Sequence, residues 1–256
     1  MLGLRETWPN SLTHAGCTLA AVRFATWNCR GAFQKKTDLA ISLEAGVLLV
    51  QECAPGIAVP GFSSPLWYPP YEGAKKGTGL YVSNGWTAEW LPHVEDLPWV
   101  RPARLGHPDI EKELTLLAVW TNKNKDDGRP LYAEQFARVL EAYRDMIGGG
   151  WCIVAGDLNA SVQGPSAEPH LVNLDIAKGL GLDSAYHRAN GVEHGEEPAM
   201  TLRWVGPGRV EYFYHCDFVF VSHDLADGIA SHVVPLFDSD RPVSDHQPVV
   251  ADLRLD

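Results

Sequence analysis

Apolar and β-branched residues occur in short runs that alternate with polar, glycine-rich and proline-rich segments. Short apolar runs bounded by turn residues are typical of buried strands. Shorter strands, separated by turn residues as in a meander, are predicted within residues 54–111. The longer strands are predicted at T-L-A-A-V-R-F-A-T-W-N, V-L-L-V-Q-E, L-T-L-L-A-V-W-T, W-C-I-V-A-G-D-L-N, residues 210–221, residues 230–236 and the final P-V-V-A-D-L-R-L.

Helical spacing of apolar residues separates several of these strands. It predicts helices over residues 35–45 and 171–180, each followed by a glycine. Pro130 is expected to open a third helix, because proline is favoured in a first helical turn. The apolar face of that helix comprises Tyr132, Phe136, Val139, Leu140, Tyr143 and Ile147.

The order of these elements predicts an α/β fold. Strands outnumber helices, and the helices fall between strands, which favours two packed mixed β-sheets flanked by helices. We expect an irregular N-terminal arm over residues 1–18 and a single catalytic domain over residues 19–256.

Polar side chains lie where several apolar strands are predicted to end. Asn28, Glu52 and the pair Asp157 and Asn159 follow such runs, and a strand is expected before Asp245-His246. Strand ends are where a rigid scaffold presents functional groups. Each residue also has a structural explanation, since Asn forms turns and acids often end strands. Their coincidence along one chain favours a common site.

Asp217 is predicted within an otherwise apolar run, C-D-F-V-F-V-S. A carboxylate in such a strand is costly unless it is paired or binds a metal. A purely structural role therefore explains Asp217 poorly.

Composition restricts the class of substrate. The 256-residue chain has a formal net charge of −11, which argues against a broad basic surface for nucleic acid. It does not exclude a phosphate substrate, because a carboxylate site can hold a divalent cation that supplies positive charge. The five cysteines show no C-x-x-C spacing, so neither a disulfide framework nor a zinc site is suggested, and buried free thiols are expected.

No secretory signal peptide or membrane span is expected from the sequence. Its N-terminus has no long apolar core, and no stretch is long and apolar enough for a membrane span. We therefore expect a cytoplasmic protein, and no obligate protein partner is evident.

Five motifs in a fixed order resemble the endonuclease/exonuclease/phosphatase superfamily. They are W-N at Asn28, Q-E at Glu52, G-D-L-N at Asp157, C-D-F-V-F-V-S at Asp217 and S-D-H at His246. The resemblance spans roughly residues 20–255 and is to deoxyribonuclease- and exonuclease III-like metal-dependent phosphoesterases. It implies a four-layer α/β sandwich with two central sheets.

The resemblance also implies roles for these residues. Glu52 would be the principal Mg²⁺ ligand, with Asn28 beside it and Asp245 near the metal; Mn²⁺ is expected to substitute for Mg²⁺. Asp157 would orient or deprotonate the attacking water, and Asn159 would hold that water or a phosphate oxygen.

Two further roles carried over by the resemblance concern the phosphate. His246 would contact the scissile phosphate, with Asp217 paired to its ring. Thr201, in M-T-L-R-W, resembles a position that touches phosphate.

One position departs from the family pattern. Several nucleases of the family carry His or Tyr after the strand that here ends at Trp120, and an indole has no titratable proton to donate. Trp120 could stack on a base or sugar, or pack in the core. Lys123, in the following polar loop, could meet flanking phosphates or be merely solvated.

Three functions remain open from the sequence. The leading hypothesis is a Mg²⁺-dependent phosphodiester hydrolase, a nuclease acting on DNA or RNA. The alternative is a phosphatase or phosphodiesterase for a small-molecule or lipid-headgroup phosphate ester, which the acidic balance favours. A non-catalytic binding module is supported only by Trp120.

Overall fold

The computed structural model describes residues 20–83, 85–123, 128, 130–164, 167–237 and 242–255. The arm predicted over residues 1–18 lies outside these residues, as does part of the polar loop after Lys123. None of the helices in the described part of the chain is long and apolar enough to cross a membrane.

Fourteen strands and five helices make up the described chain. The strands are β1 (Ala20–Asn28), β2 (Val47–Cys53), β3 (Leu66–Tyr68), β4 (Gly77–Val82), β5 (Thr87–Trp90), β6 (Val100–Gly106), β7 (Leu114–Trp120), β8 (Trp151–Asp157), β9 (Leu182–Ser184), β10 (Leu202–Val205), β11 (Glu211–Tyr214), β12 (Asp217–Ser222), β13 (Ala230–Val233) and β14 (Val249–Leu255). The α-helices are α1 (Thr37–Ser42), α2 (Tyr132–Ala142), α3 (Arg144–Gly148), α4 (Ala167–Gly179) and α5 (Ala185–Asn190). Single 3₁₀ turns occur at Phe33–Lys35, Pro207–Arg209 and His223–Leu225.

Twelve of the strands form two mixed six-stranded sheets. The first has the order β13-β14-β1-β2-β4-β3 and the second β5-β6-β7-β8-β12-β9. The pairs β1–β2 and β7–β8 are parallel, and the other pairs are antiparallel. Strands β10 and β11 form a separate two-stranded hairpin.

Three apolar cores separate four layers. The central core joins the inner faces of the two sheets, with Phe24 and Leu49 from the first and Leu116 and Ile153 from the second. A second core lies between the second sheet and helices α2 to α4, and a third between the first sheet and α1. The predicted four-layer α/β sandwich with two central mixed sheets is confirmed.

Strand alternation decides which side chains enter the central core. On β1, Val22 and Phe24 belong to the central core, whereas Ala25 and Trp27 belong to the outer core beside α1. Successive side chains of a strand point to opposite faces, so a buried strand must be apolar on both. This explains the nearly unbroken apolar runs in the sequence.

Several predicted boundaries were wrong. The strand expected over residues 210–221 is broken at His215 and Cys216, and β11 and β12 belong to different sheets. Asp217 therefore begins a strand instead of lying within one. The helix expected from Pro130 begins at Tyr132 and is interrupted at Tyr143, where φ is −110° and ψ is 19°.

Two other boundaries also differ. The described residues between β13 and Asp245 form no strand; His246 makes only an isolated bridge to Leu202. The helix predicted from residue 171 begins earlier, at Ala167.

The cysteines within the described residues are free and buried: Cys29, Cys53, Cys152 and Cys216. They fit the expectation of buried thiols for this part of the chain.

Gly156 allows β7 and β8 to approach closely next to Asp157. Its φ is +135°, and a Cβ placed on it would lie 1.8 Å from the carbonyl oxygen of Val119, its partner across the two strands. No other residue type fits without moving a strand.

We expect Gly156→Ala to lower the free energy of unfolding by about 3 kcal/mol or more, as overpacking of a rigid interior does. Urea unfolding followed by circular dichroism measures this. Gly179→Ala is the matched control, since a Cβ there meets nothing within 4 Å, and its stability should be unchanged or slightly higher. Equal stability of the two variants would contradict the role of the close approach.

Candidate active site at the strand ends

Strand ends from both sheets converge at one edge of the sandwich. Asn28 ends β1, Asp157 ends β8 and Asp217 begins β12. Residues two apart on a strand point to the same face. The residues two positions from these three along their strands are Thr26, Ala155 and Val219, and Ala155 and Val219 belong to the central core, as Phe24 does on β1. Each of the three side chains therefore points into the space between the sheets. Asp157 and Asp217 are direct partners across antiparallel β8 and β12. Like charges placed opposite each other repel, which favours a cation or proton between them.

Glu52 reaches this site through an irregularity in β2. Regular alternation along β2 would point Glu52 away from the space between the sheets. However, its φ is +58°, and the pairing with β4 shifts between Val50 and Cys53. A left-handed backbone is uncommon for Glu and marks local strain, which clusters at functional sites. Asn28 Nδ2 donates to Glu52 Oε1 at 3.2 Å, and Lys76 Nζ lies 2.7 Å from Glu52 Oε2.

Asp157, like Asp217, is a fully buried carboxylate with no exposed surface. Its Oδ2 accepts from Asn28 Nδ2 at 2.9 Å and from Asn159 Nδ2 at 2.8 Å, and its Oδ1 accepts from the backbone N–H of Asn159 at 2.8 Å. Asn159 adopts φ +47°, a conformation that Asn tolerates better than most residues. Its side chain is also anchored on the carbonyl oxygen of Thr121, at 2.9 Å.

His246 faces both aspartates. Its Nδ1 donates to Asp217 Oδ2 at 2.8 Å, and its Nε2 lies 4.0 Å from Asp157 Oδ2. Ser244 fixes the segment, since its hydroxyl donates to the carbonyl oxygen of Asn28 and accepts from the N–H of His246. The indole of Trp27 donates to the carbonyl oxygen of His246 at 3.1 Å.

The electrostatics of the site raise the pKa of both Asp157 and His246. Burial raises the pKa of Asp157 above its usual range and Asp217 adds to this, against the opposing effects of His246, Asn28 and Asn159. The carboxyl group therefore holds a proton more readily than a surface aspartate does, as a group that must accept one requires.

Burial alone would lower the pKa of His246. The carboxylates of Asp217 and Asp157 outweigh burial and raise the pKa to about 10. His246 is consequently an imidazolium at neutral pH, with its Nε2–H directed toward the gap that Asp157 borders.

Asp245 lies at the rim, paired with Arg30 through Nε and Oδ2 at 3.2 Å. Arg30 belongs to an unusual turn directly after β1, in which Arg30, Gly31 and Ala32 all have positive φ. The backbone N–H of Arg30 donates to Asn28 Oδ1, so this turn also fixes the Asn28 amide.

The three residues predicted to bind substrate occupy different positions. Trp120 is half-buried at the end of β7, opposite Asp157 in the parallel register. Lys123 is exposed, with its ammonium 5.0 Å from the ring centroid of Tyr132. Thr201 is fully buried, and its hydroxyl oxygen accepts from the N–H groups of Cys216 and Asp217. This favours a positioning role for Thr201 over direct phosphate contact.

The donor set can hold a metal ion. Among the described residues, Asp157, Cys216, Asp217 and His246 each place a ligand atom within 4.8 Å of the others. Asp217 Oδ1 is buried without a hydrogen-bond partner. Burial raises the pKa of Cys216 well above its usual range, so it stays a thiol and offers no thiolate. His246, as an imidazolium, offers no lone pair either. The donors left are the oxygens of Asp157 and Asp217, with Glu52 and Asn28 beside them, and oxygens are the atoms that hard divalent cations prefer.

The sequence did not assign several contributors to this site. Ser244 was seen only as part of S-D-H, and Arg30 carried no signal. Positive φ at Arg30, Ala32 and Glu52 has no signature in residue type, because none of these residues favours it.

The fold is shared with solved structures. An AP endonuclease of Leishmania major has a TM-score of 0.69 and 17% identity, over 91% of this chain and 88% of that one. An endonuclease/exonuclease/phosphatase family protein of Bacteroides thetaiotaomicron has a TM-score of 0.64 and 18% identity, over 93% and 99%. A mannosyl-6-phosphatase of the same organism has a TM-score of 0.60 and 17% identity, over 91% and 99%.

The fold of the endonuclease/exonuclease/phosphatase superfamily, which the motifs predicted, is thereby confirmed. No protein-family model matches the chain, and no curated protein matches it. At these identities the likeness to solved structures is one of fold.

We expect Asp217→Asn to lower the pKa of His246 by about 1–3 pH units, because it removes the nearest opposite charge while burial remains. Histidine NMR titration of protein freed of divalent metal by a chelator measures this directly. Asp224→Asn, an exposed acid after β12, is the control and should leave the pKa unchanged. An unaltered His246 titration in Asp217→Asn would show that the pair does not set its charge.

Proposed function

We propose that the protein is a magnesium-dependent phosphodiester hydrolase that acts on DNA or RNA. The observation that carries this proposal is the placement of a buried carboxylate, Asp157, beside a buried imidazolium, His246, with Asn28 and Glu52 adjoining. Hydrolysis of a phosphodiester needs a proton acceptor for water and positive charge for the phosphate, and these residues supply both.

Glu52, Asn28 and Asp245 are the residues that would hold magnesium. When bound, magnesium supplies positive charge to the phosphoryl oxygen and to the leaving oxygen. Mn²⁺, which also accepts oxygen ligands, is expected to substitute. In the structure the charge of Glu52 is balanced by the Lys76 ammonium, which lies 2.7 Å from Glu52 Oε2.

The chain's own residues would act on water and phosphate. Asp157 accepts the proton of the attacking water, and the amide of Asn159 holds that water or a phosphate oxygen. His246 donates its Nε2–H to a phosphate oxygen, and Asp217 keeps the ring oriented and charged. Trp120 has no proton to transfer, so protonation of the leaving oxygen falls to water or another group.

An exposed aromatic hairpin beside the site favours a nucleic-acid substrate. Trp204 of β10 and Tyr212 of β11 are partners on one face, with ring centroids 5.3 Å apart, and both are exposed. Tyr214 continues this row, stacked on Tyr212 at 6.4 Å. Bases of any sequence stack on aromatic side chains of this kind.

Backbone hydrogen bonds join the hairpin to the site. The N–H of Arg203 donates to the carbonyl oxygen of Asp245, and the N–H of Gln247 donates to that of Thr201. The hairpin that carries the aromatic row is therefore tied by its backbone to the segment that holds Asp245 and His246.

A small-molecule phosphate ester is the second candidate. The net charge of −11 favours it, because a long polyanion is repelled by an acidic protein. The likeness in fold to a mannosyl-6-phosphatase is compatible with it. Within the described residues, the exposed cations Arg30 and Lys76 near the cleft are each paired with a carboxylate.

Hydrolysis of a substrate panel, with and without Mg²⁺, tests the proposal and separates the two candidates. The panel contains plasmid, linear duplex, single-stranded DNA, RNA, an abasic duplex and simple phosphate esters. Metal-dependent cleavage of a polymer supports the nuclease, and turnover of only the small esters replaces it with the phosphatase. If none of these substrates is hydrolysed, both the nuclease and the phosphatase are contradicted.

We expect Asp157→Asn to reduce turnover by about 10²–10⁴-fold, as removal of a general base does. The amide preserves the shape of the side chain, so the unfolding curve checks that the fold is retained. Asp175→Asn, which removes an exposed carboxylate from α4, is the control and should be fully active. Undiminished activity of Asp157→Asn would remove Asp157 from the mechanism.

We expect Trp204→Ala to weaken binding of single-stranded nucleic acid by about 1–3 kcal/mol, the contribution of one stacked base. Fluorescence anisotropy with a labelled oligonucleotide measures it, and turnover of a simple phosphate ester should stay unchanged. Val172→Ala, at a position equally exposed on α4, is the control. Loss of ester turnover alongside oligonucleotide binding would instead indicate that the hairpin shapes the site.

A further inference from the structure

A second cluster of metal-binding side chains lies outside the strand-end site. His187 belongs to α5, and His194 and Glu197 follow in the segment between α5 and β10. Each of the three offers a ligand atom within 4.8 Å of the others. None of them belongs to the residues that surround Asp157.

Glu197 is a buried carboxylate, and one of its two oxygens has no hydrogen-bond partner. It is 6% exposed, and its Oε1 accepts from the N–H of Gly195 and lies 3.0 Å from His187 Nε2. Its other oxygen, Oε2, is buried and has no hydrogen-bond partner. A buried carboxylate with an unused oxygen is costly unless a cation completes its environment.

His187 is held as metal-binding histidines usually are. Its Nδ1 is hydrogen-bonded to Ser184 Oγ at 2.7 Å. When Nδ1–H donates to that hydroxyl, Nε2 either carries a second proton and pairs with the Glu197 carboxylate or presents its lone pair to a metal ion. A hydrogen bond on the far ring nitrogen fixes the tautomer and orientation of histidine ligands.

Two more imidazoles adjoin the pair, and both carry a buried nitrogen without a partner. The ring of His194 lies 3.7 Å from that of His187, and its Nδ1 is buried and unpaired. His215, 5.3 Å from His187, binds the carbonyl oxygen of Ala199 through Nδ1, and its buried Nε2 is unpaired. Such an accumulation of unused donor atoms in a protein interior is unusual.

We propose that His187, His194 and Glu197 form a zinc site, with water as the fourth ligand. Imidazole and carboxylate are common zinc ligands, and two imidazoles favour zinc over magnesium. Two ligand atoms on one zinc ion lie within about 4 Å of each other, since each bond is about 2.0–2.2 Å long. In a tetrahedral site this separation is about 3.3–3.6 Å, so the observed limit of 4.8 Å requires the ligand atoms to draw together by up to about 1.5 Å.

The proposed zinc site would stabilise the segment that packs behind the strand-end site. Glu197 is followed by Thr201, whose hydroxyl binds the first N–H of β12, and His215 precedes Asp217 by two residues. Zinc would thus join α5 to the segment that carries Thr201.

Zinc binding to the purified full-length chain tests the proposal. The protein, in the Glu52→Gln background to weaken metal binding at the strand ends, is stripped with a chelator and titrated with Zn²⁺ against a chromogenic competitor. We expect one zinc per chain, and at least about 100-fold weaker binding in His194→Gln and in Glu197→Gln, since even outer partners contribute roughly 10–100-fold. Glu193→Gln makes the same chemical change at an exposed position of the same segment and should bind as the parent does.

Cobalt provides a readout that does not depend on a variant folding. The Co²⁺-loaded parent should show the intense visible absorption of a four-coordinate site, and zinc should bleach it. Failure of the parent to bind zinc or Co²⁺, or equal zinc affinity in parent, His194→Gln and Glu197→Gln, would overturn the proposal. Because metal is measured instead of turnover, neither result depends on the nuclease activity.

Discussion

The hydrogen bond from Asn28 to Asp157 joins the two sheets at the edge where the site lies. Asn28 ends a strand of the first sheet and Asp157 ends a strand of the second, and the amide nitrogen and carboxylate oxygen are 2.9 Å apart. The carboxylate is fully buried, so its charge must be balanced by polar groups or a proton. Asn159 and His246 are gathered around it, and Glu52 shares the same Asn28 amide.

Much of this arrangement could be predicted from the sequence. Apolar runs ending in Asn28 and Asp157 marked the strand ends, and alternation then requires both side chains to enter the gap between the sheets. Glu52 could not be placed in this way, because its orientation depends on a positive φ and a register shift. Thr201 was predicted to touch phosphate, but its side chain is fully buried. That burial depends on how distant segments pack together, which the local sequence does not show.

Two other features could not be predicted from the sequence, for different physical reasons. His215 and Cys216 lie in an apolar run that suits a continuous strand, so nothing marked the change of sheet between β11 and β12. The histidines of the second cluster are separated by spacings that match no common metal motif. Their proximity depends on how the segment after α5 folds back, which local patterns do not report.

Three of the buried thiols are sequence neighbours of site residues: Cys29 follows Asn28, Cys53 follows Glu52 and Cys216 precedes Asp217. Burial raises the pKa of Cys29 to about 11, and that of Cys53 further, so the folded site offers alkylating reagents no reactive thiolate. Labelling of these thiols must await local opening of the strand ends. Their alkylation rates therefore report how often the strand ends at this edge open, and a ligand that bridges the sheets should slow all three together.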